Sequence, residues 1–211
     1  MKNTTEKKLA GWITTAGILL LLVPFAFLAY SEYQAKRTGE ALSAAASGLS
    51  AMLPKHTAGV MDPEASDHDM PVYVYNGEDY IALLSVPSES RVLPVMASRQ
   101  KQENTDKDCP YRFSGSVYND TLMIGGTDAS GQLDFVSRVD SGDRLTVTDM
   151  RGKEYYYSVS FVRHVQKADI EAWENEDADL VLFASAVYGT GFRVVLCDRV
   201  GGETASPEPE E

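Results

Sequence analysis

A chain of 211 residues with 31 acidic and 19 basic side chains carries a formal net charge of -12, which excludes a nucleic-acid binder that works by neutralising phosphates with clustered Lys and Arg. The length accommodates one domain of ordinary size together with an anchor and tails. The charge is uneven, because residues 1–37 hold five basic and two acidic side chains, leaving a slightly positive head and an acidic remainder.

In chain order, the first feature is Leu9 to Tyr30, LAGWITTAGILLLLVPFAFLAY, a run of 22 residues without a charge. That length matches a hydrocarbon core of about 30 Å, so one transmembrane helix is expected; Pro24 inside it is tolerable in a membrane helix. Lys2, Lys7 and Lys8 precede the run and Glu32 is the first charge after it, which favours a cytoplasmic N-terminus and an extracellular C-terminal domain in the cell membrane. Lys36 and Arg37 count the other way. A cleaved signal peptide is the alternative, but the run exceeds the usual apolar region of about 7 to 15 residues and no small-x-small site follows.

Ser31 to Leu53 is rich in Ala, Ser and charged residues with scattered Leu, a composition that favours a helical stalk without a wide apolar face. His56 to Pro71, Ser98 to Asp108 and the tail GGETASPEPEE are polar or acidic and turn-rich, and are expected to be loops or disordered. Between them lie short apolar runs. Asp79 to Val86 and Arg91 to Met96, separated by Pro87 and SES, suggest a hairpin. Thr121 to Ile124, Asp143 to Thr148, Glu154 to Val165, Asp179 to Ala184 and Phe192 to Asp198 are further strand candidates, with turns at Ser141-Gly142-Asp143 and Arg151-Gly152-Lys153. One short helix is expected at Lys167 to Trp173. No internal repeat is present.

The expected architecture is mainly all-β, a closed β-barrel of about seven to eight strands with short helices. Its divisions are a cytoplasmic tail over 1–8, the membrane helix over 9–30, stalk and linker over 31–71, the barrel over 72–200 and an acidic tail over 201–211.

Few residues suit catalysis or ligand binding. The histidines are His56, His68 and His164. The stretch MDPEASDHDM holds four acids and His68 but lacks the ordered ligand spacing of a calcium loop, so no metal is expected. No Gly-rich loop precedes a helix in the manner of a phosphate site, and no cofactor is expected. Cys109 and Cys197 make an even pair in the part assigned outside the membrane, where disulfides persist, which makes a Cys109–Cys197 bridge a candidate. Cys197 as a nucleophile is a weaker reading, since VVLC has the pattern of an apolar strand.

Four stretches, YIALLSVPSESRVLPVM, CPYRFSGSVYNDTLMIGG, DSGDRLTVTDMRGKEYYYSV and DLVLFASAVYGTGFRVVLC, resemble in order and spacing the consecutive blocks of the sortases, cysteine transpeptidases of Gram-positive cell surfaces. The resemblance covers about Tyr73 to Val200 and implies the sortase barrel. In that family a Cys thiolate attacks the backbone carbonyl of a Leu-Pro-x-Thr-Gly-like sorting signal, a His protonates the leaving group, and an Arg stabilises the developing oxyanion. The corresponding slots here hold Ser185 for Cys, Gly126 for His and Arg193 for Arg. The resemblance therefore implies a degenerate member that lacks the catalytic His and Cys.

A Ser hydroxyl without an adjacent base is inert near neutral pH, and loss of members of such a unit costs factors on the order of 10⁴ to 10⁶ in turnover. Asp128 and His164 are weak candidates for a replacement base; Arg193 is the candidate peptide-binding residue. Two functions stay open on these residues. One is a membrane-anchored pseudoenzyme that binds sorting-signal peptides, an active sortase or another surface protein. The other is an enzyme, a transpeptidase or hydrolase that uses Ser185 with an unrecognised base.

Overall fold

The computed structural model describes residues 3–54, 57–58, 70–99, 109–118, 121–129, 131–165, 177–186 and 191–201, with helix side chains from Leu20 onward except that of Ala35. The chain divides into two compact units, Met1–Arg37 and Thr38–Glu211. The first is helical throughout its described length, part of α1 (Asn3–Met52), which takes in both the expected membrane run and most of the expected stalk, with Pro24 inside. Among the described residues no helix is long and apolar enough to cross a membrane. The side chains of 9–19, the first half of the apolar run, lie outside them.

The second unit is the barrel. Its strands are β1 (Thr57–Ala58), β2 (Tyr73–Tyr75), β3 (Glu78–Val86), β4 (Arg91–Met96), β5 (Tyr111–Ser114), β6 (Leu122–Thr127), β7 (Arg144–Asp149), β8 (Lys153–Val165), β9 (Leu180–Ser185) and β10 (Phe192–Val200). Eight of them close in the order β3–β4–β5–β6–β9–β10–β8–β7 and back to β3. The β4–β5 and β6–β9 pairs are parallel, while the other pairs of the ring are antiparallel. The short β1 and β2 lie outside the ring on β8 and β3.

The period of two along each strand sorts its side chains between two faces. In β9, Leu180, Leu182 and Ala184 enter the barrel core beside Leu122 and Ile124 of β6. The intervening Val181 and Phe183 join Met123 and Val194 in a second apolar cluster on the outer face. β3 reads as continuously apolar because both faces are covered: Ala82, Leu84 and Val86 face the core, and Leu83 lies under the helix. The cover is a narrow stripe of α1, Leu42, Ala46 and Leu49, packed with Tyr80, Leu83, Met96, Cys109, Tyr111 and Met150. Full burial of each Leu contributes about 1.5–3 kcal/mol. The C-terminal turns of the expected stalk are thus docked on the barrel.

All seven expected strands are present. The unexpected β5 is four residues long, pairs with β4 through Met96 and Tyr111 alone, and shifts register against β6 between Arg112 and Ser114; a strand so short and interrupted leaves no alternating signature. The expected turns at Gly142 and Gly152 have φ of 95° and 80°, which an L side chain rarely adopts. The helix expected at Lys167–Trp173, most of the linker before Met70 and the acidic tail beyond Gly201 lie outside the described residues.

The Cys109–Cys197 bridge is not formed. Cys109 packs under the helix and its Sγ donates to Pro94 O at 3.2 Å, whereas Cys197 lies in the barrel core. Burial pushes the Cys197 thiol well above its ordinary range, with Asp198 adding to the effect, so it is unsuited to act as a thiolate.

Candidate functional site

Three strands bring the sequence candidates to one end of the barrel. β6 and β9 run parallel with Gly126 opposite Ala184 and Thr127 opposite Ser185. β10 returns antiparallel, with Phe192 opposite Ser185 and Arg193 opposite Ala184. On its other side Arg193 stands opposite His164 of β8. Two rows therefore cross the sheet, Gly126–Ala184–Arg193–His164 and Thr127–Ser185–Phe192–Val165, and alternation points them to opposite faces.

This phase decides which way position 126 faces. A Cβ built on Gly126 would lie 2.8 Å from Leu133 Cδ1 and 3.2 Å from its Cγ, and Leu133 is fully buried in the core with Phe135 and Val136. A side chain at 126 would press into Leu133 and away from Ser185. The side chain that shares Ser185's row is that of Thr127, one residue later, and a one-residue slip changes the face of every side chain. Gly125 is equally committed to packing: its Cβ would meet the rings of Phe183 at 2.5 Å and Tyr111 at 2.9 Å. The two glycines let side chains close on the β6 backbone from both faces.

Ser185 is half-buried, and its Oγ donates to Gly126 O at 3.3 Å, a long bond to a neutral carbonyl. The Ser185 carbonyl accepts from Asp128 N at 2.9 Å, and Ala186 N donates to Gly191 O at 3.1 Å, which ties the ends of β6, β9 and β10 together. Neither Asp128 nor His164 is the partner of the Ser185 hydroxyl. His164 stands on β8, two strand spacings or about 10 Å from β9. It is exposed and sits by Gly191, where a Cβ would be 3.0 Å from its ring. Arg193 is half-buried at the rim, on the face opposite to Val194 as alternation requires.

The segment after β6 folds back over this end. Leu133 N donates to Thr127 O at 3.2 Å, and Thr127 Oγ1 donates to Gln132 Oε1 at 2.7 Å. Four charges fasten it to the turn between β3 and β4. Asp134 pairs with Arg91 and, at 3.0 Å, with Arg138, while Glu89 takes Arg138 at 2.6 Å and Arg91 at 3.4 Å. Sequence reasoning missed Thr127, Gln132 and Leu133. The spacing of a polar pair five residues apart beyond a strand was the available signal, and it is a common one. Among the described residues no group of His, Cys, Asp and Glu is placed to hold a metal.

No family model matches the sequence, and no curated protein does. Among solved structures the chain is similar to sortase A from Corynebacterium diphtheriae, with a TM-score of 0.52 and 16% identity over 82% of this chain and 87% of that one. The lid mutant of the same protein gives 0.52 and 15% over 82% and 98%. Sortase C1 of GBS Pilus Island 1 gives 0.51 and 14% over 83% and 87%. At such identities the likeness speaks for the fold alone; together with the closed ring of eight strands, it establishes that this chain has the sortase fold.

Proposed function

We propose that this protein is a membrane-anchored, non-catalytic member of the sortase fold that binds an extended sorting-signal-like peptide, or a surface protein carrying one, at the Ser185 end of the barrel. The observation that carries the reading is the pairing at that end: Thr127 stands opposite Ser185, and the Ser185 hydroxyl is spent on a backbone carbonyl. Neither group takes up a proton near neutral pH, and among the described residues no base is bonded to the hydroxyl, which supports a non-catalytic role. Arg193 is the group assigned to hold peptide carbonyls or a carboxylate, through the charge-assisted bonds a guanidinium makes. An active sortase is a further candidate partner.

Anchoring rests on the uncharged run Leu9 to Tyr30. The described part of that run supports it, since Leu20 and Phe25 are 77% and 71% exposed on the helix, apolar surface that a hydrocarbon environment would cover. With the N-terminus cytoplasmic, the barrel faces outward.

The deciding experiment is intact mass and turnover of the chain mixed with Leu-Pro-x-Thr-Gly-type peptides and an amine acceptor. Thr127→His/Ser185→Cys and Gly126→His/Ser185→Cys variants run alongside. The reading expects peptide binding that weakens in Arg193→Ala, with no acyl adduct on Ser185. An adduct or product from the unaltered chain would establish the rival reading, a Ser185-dependent enzyme.

A further inference from the structure

Gln132 is a polar side chain in an apolar place. It is 2% exposed, between the rim residue Thr127 and the core residue Leu133. Its backbone N–H goes to Ala129 O at 3.0 Å, its carbonyl accepts from Arg91 at 3.5 Å, and its Oε1 accepts from Thr127 Oγ1 at 2.7 Å. The two Nε2 hydrogens are left without a partner among the described residues. Burying such a donor unsatisfied costs about 1–3 kcal/mol. Among the described residues the only sealed side-chain nitrogen or oxygen lacking a partner is Arg199 Nε, so Gln132 Nε2 keeps an opening to solvent.

The carboxamide is oriented from the same row as Ser185. Thr127 Oγ1 spends its hydrogen on Gln132 and keeps its lone pairs; Ser185 Oγ spends its hydrogen on Gly126 O and keeps its own. This end of β6 and β9 therefore offers one NH2 donor group and two neutral acceptors. That array is complementary to an uncharged amide, whose C=O accepts and whose N–H donates.

We propose that Gln132 is a ligand-binding residue of this site, its Nε2 donating to a backbone carbonyl of the bound peptide, with Thr127 as the residue that positions it. The inference rests on the peptide-binding reading and adds the recognised group: a peptide bond, read as a neutral amide, on the face that Thr127 and Ser185 share.

The test uses the full chain and the same Leu-Pro-x-Thr-Gly-type peptides, with affinity and melting temperature measured at pH 8. Gln132→Glu keeps the acceptor for Thr127 and removes the donor. Binding should weaken about tenfold or more in the folded variant, and melting should fall, because a carboxylate replaces a neutral amide at an almost fully buried position. In the unaltered chain the Gln132 side-chain amide signals should shift on peptide addition, a response that a purely structural glutamine would not give. Should Gln132→Glu fail to fold, Thr127→Val removes the positioning bond at a half-buried site and should weaken binding severalfold. Unaltered affinity in the folded variant, or amide signals that stay fixed while peptide binds, overturns the role of Gln132 alone. An unaltered chain that binds none of the peptides overturns the parent reading and this one with it.

Discussion

Gly126→Ala tests the packing that determines which residue faces Ser185. The added methyl would lie 2.8 Å from Leu133 Cδ1 and 3.2 Å from Cγ, and Leu133 is fully buried beside Phe135 and Val136. With no solvent to swing into, Leu133 must shift against the core, and overpacking of this kind costs about 1–3 kcal/mol. The substitution recovers about 0.4–1 kcal/mol by restricting the unfolded chain. A net loss of about 1–2 kcal/mol lowers the melting temperature by roughly 2–8 °C in a domain of this size. Leu133→Ala alone should cost about 2–5 kcal/mol through the cavity it leaves. Because the methyl added at position 126 enters that cavity, the double variant should cost less than the sum by about 0.5–3 kcal/mol. Urea unfolding of the four chains measures the cycle. A neutral Gly126→Ala, or strictly additive losses, would refute the contact and with it the claim that position 126 faces away from Ser185.

Other parts of the barrel yield further expectations. Asp134→Ala removes the partner of Arg91 and Arg138 and of the Gly131 N–H. It should cost about 1–2 kcal/mol at low salt and less at high salt, since exposed pairs contribute little alone but this cluster is partly buried; a loss independent of salt would contradict it. Burial pushes Tyr155 and Tyr80 up to about 12, with the charges of Asp149 beside Tyr155 and Cys109 beside Tyr80 adding to the effect. Both stay protonated in the folded chain while the unfolded chain ionises them above about pH 10. Stability is therefore full below about pH 10 and falls by about 1.4 kcal/mol per pH unit per group up to about pH 12. A urea midpoint equal at pH 8 and pH 11 would refute this. Cys109 and Cys197 should both titrate with a thiol reagent after unfolding without reductant, and only slowly in the folded chain, because both are buried; a single disulfide mass would show that the clusters holding them are misassigned.

Much of the fold is legible because its elements repeat a simple period. The alternation of Glu154 to Val165 and the apolar runs at Asp179 to Ala184 and Phe192 to Asp198 place β8, β9 and β10 within two residues of their observed ends. β5 is illegible, since Tyr111 to Ser114 is too short to show a period and its pairing depends on distant partners. The docking of α1 is half legible. Leu42, Ala46 and Leu49 form a visible narrow stripe, but the cover they supply to Leu83 of β3 is a tertiary fact.

At the candidate site the residues alone establish that Ser185 ends one strand, that Arg193 follows on the next, and that no histidine ends the partner strand β6. They leave open which residue after Ile124 faces Ser185, because Gly125 and Gly126 have no side chains and so interrupt the alternation that would tell the two faces apart. Only the pairing of β6 with β9 restores the phase, placing Thr127 with Ser185 and turning Gly126 toward Leu133. The physical reason is that a face is a property of a strand's hydrogen-bonded register with its neighbours, fixed by contacts between segments about 60 residues apart.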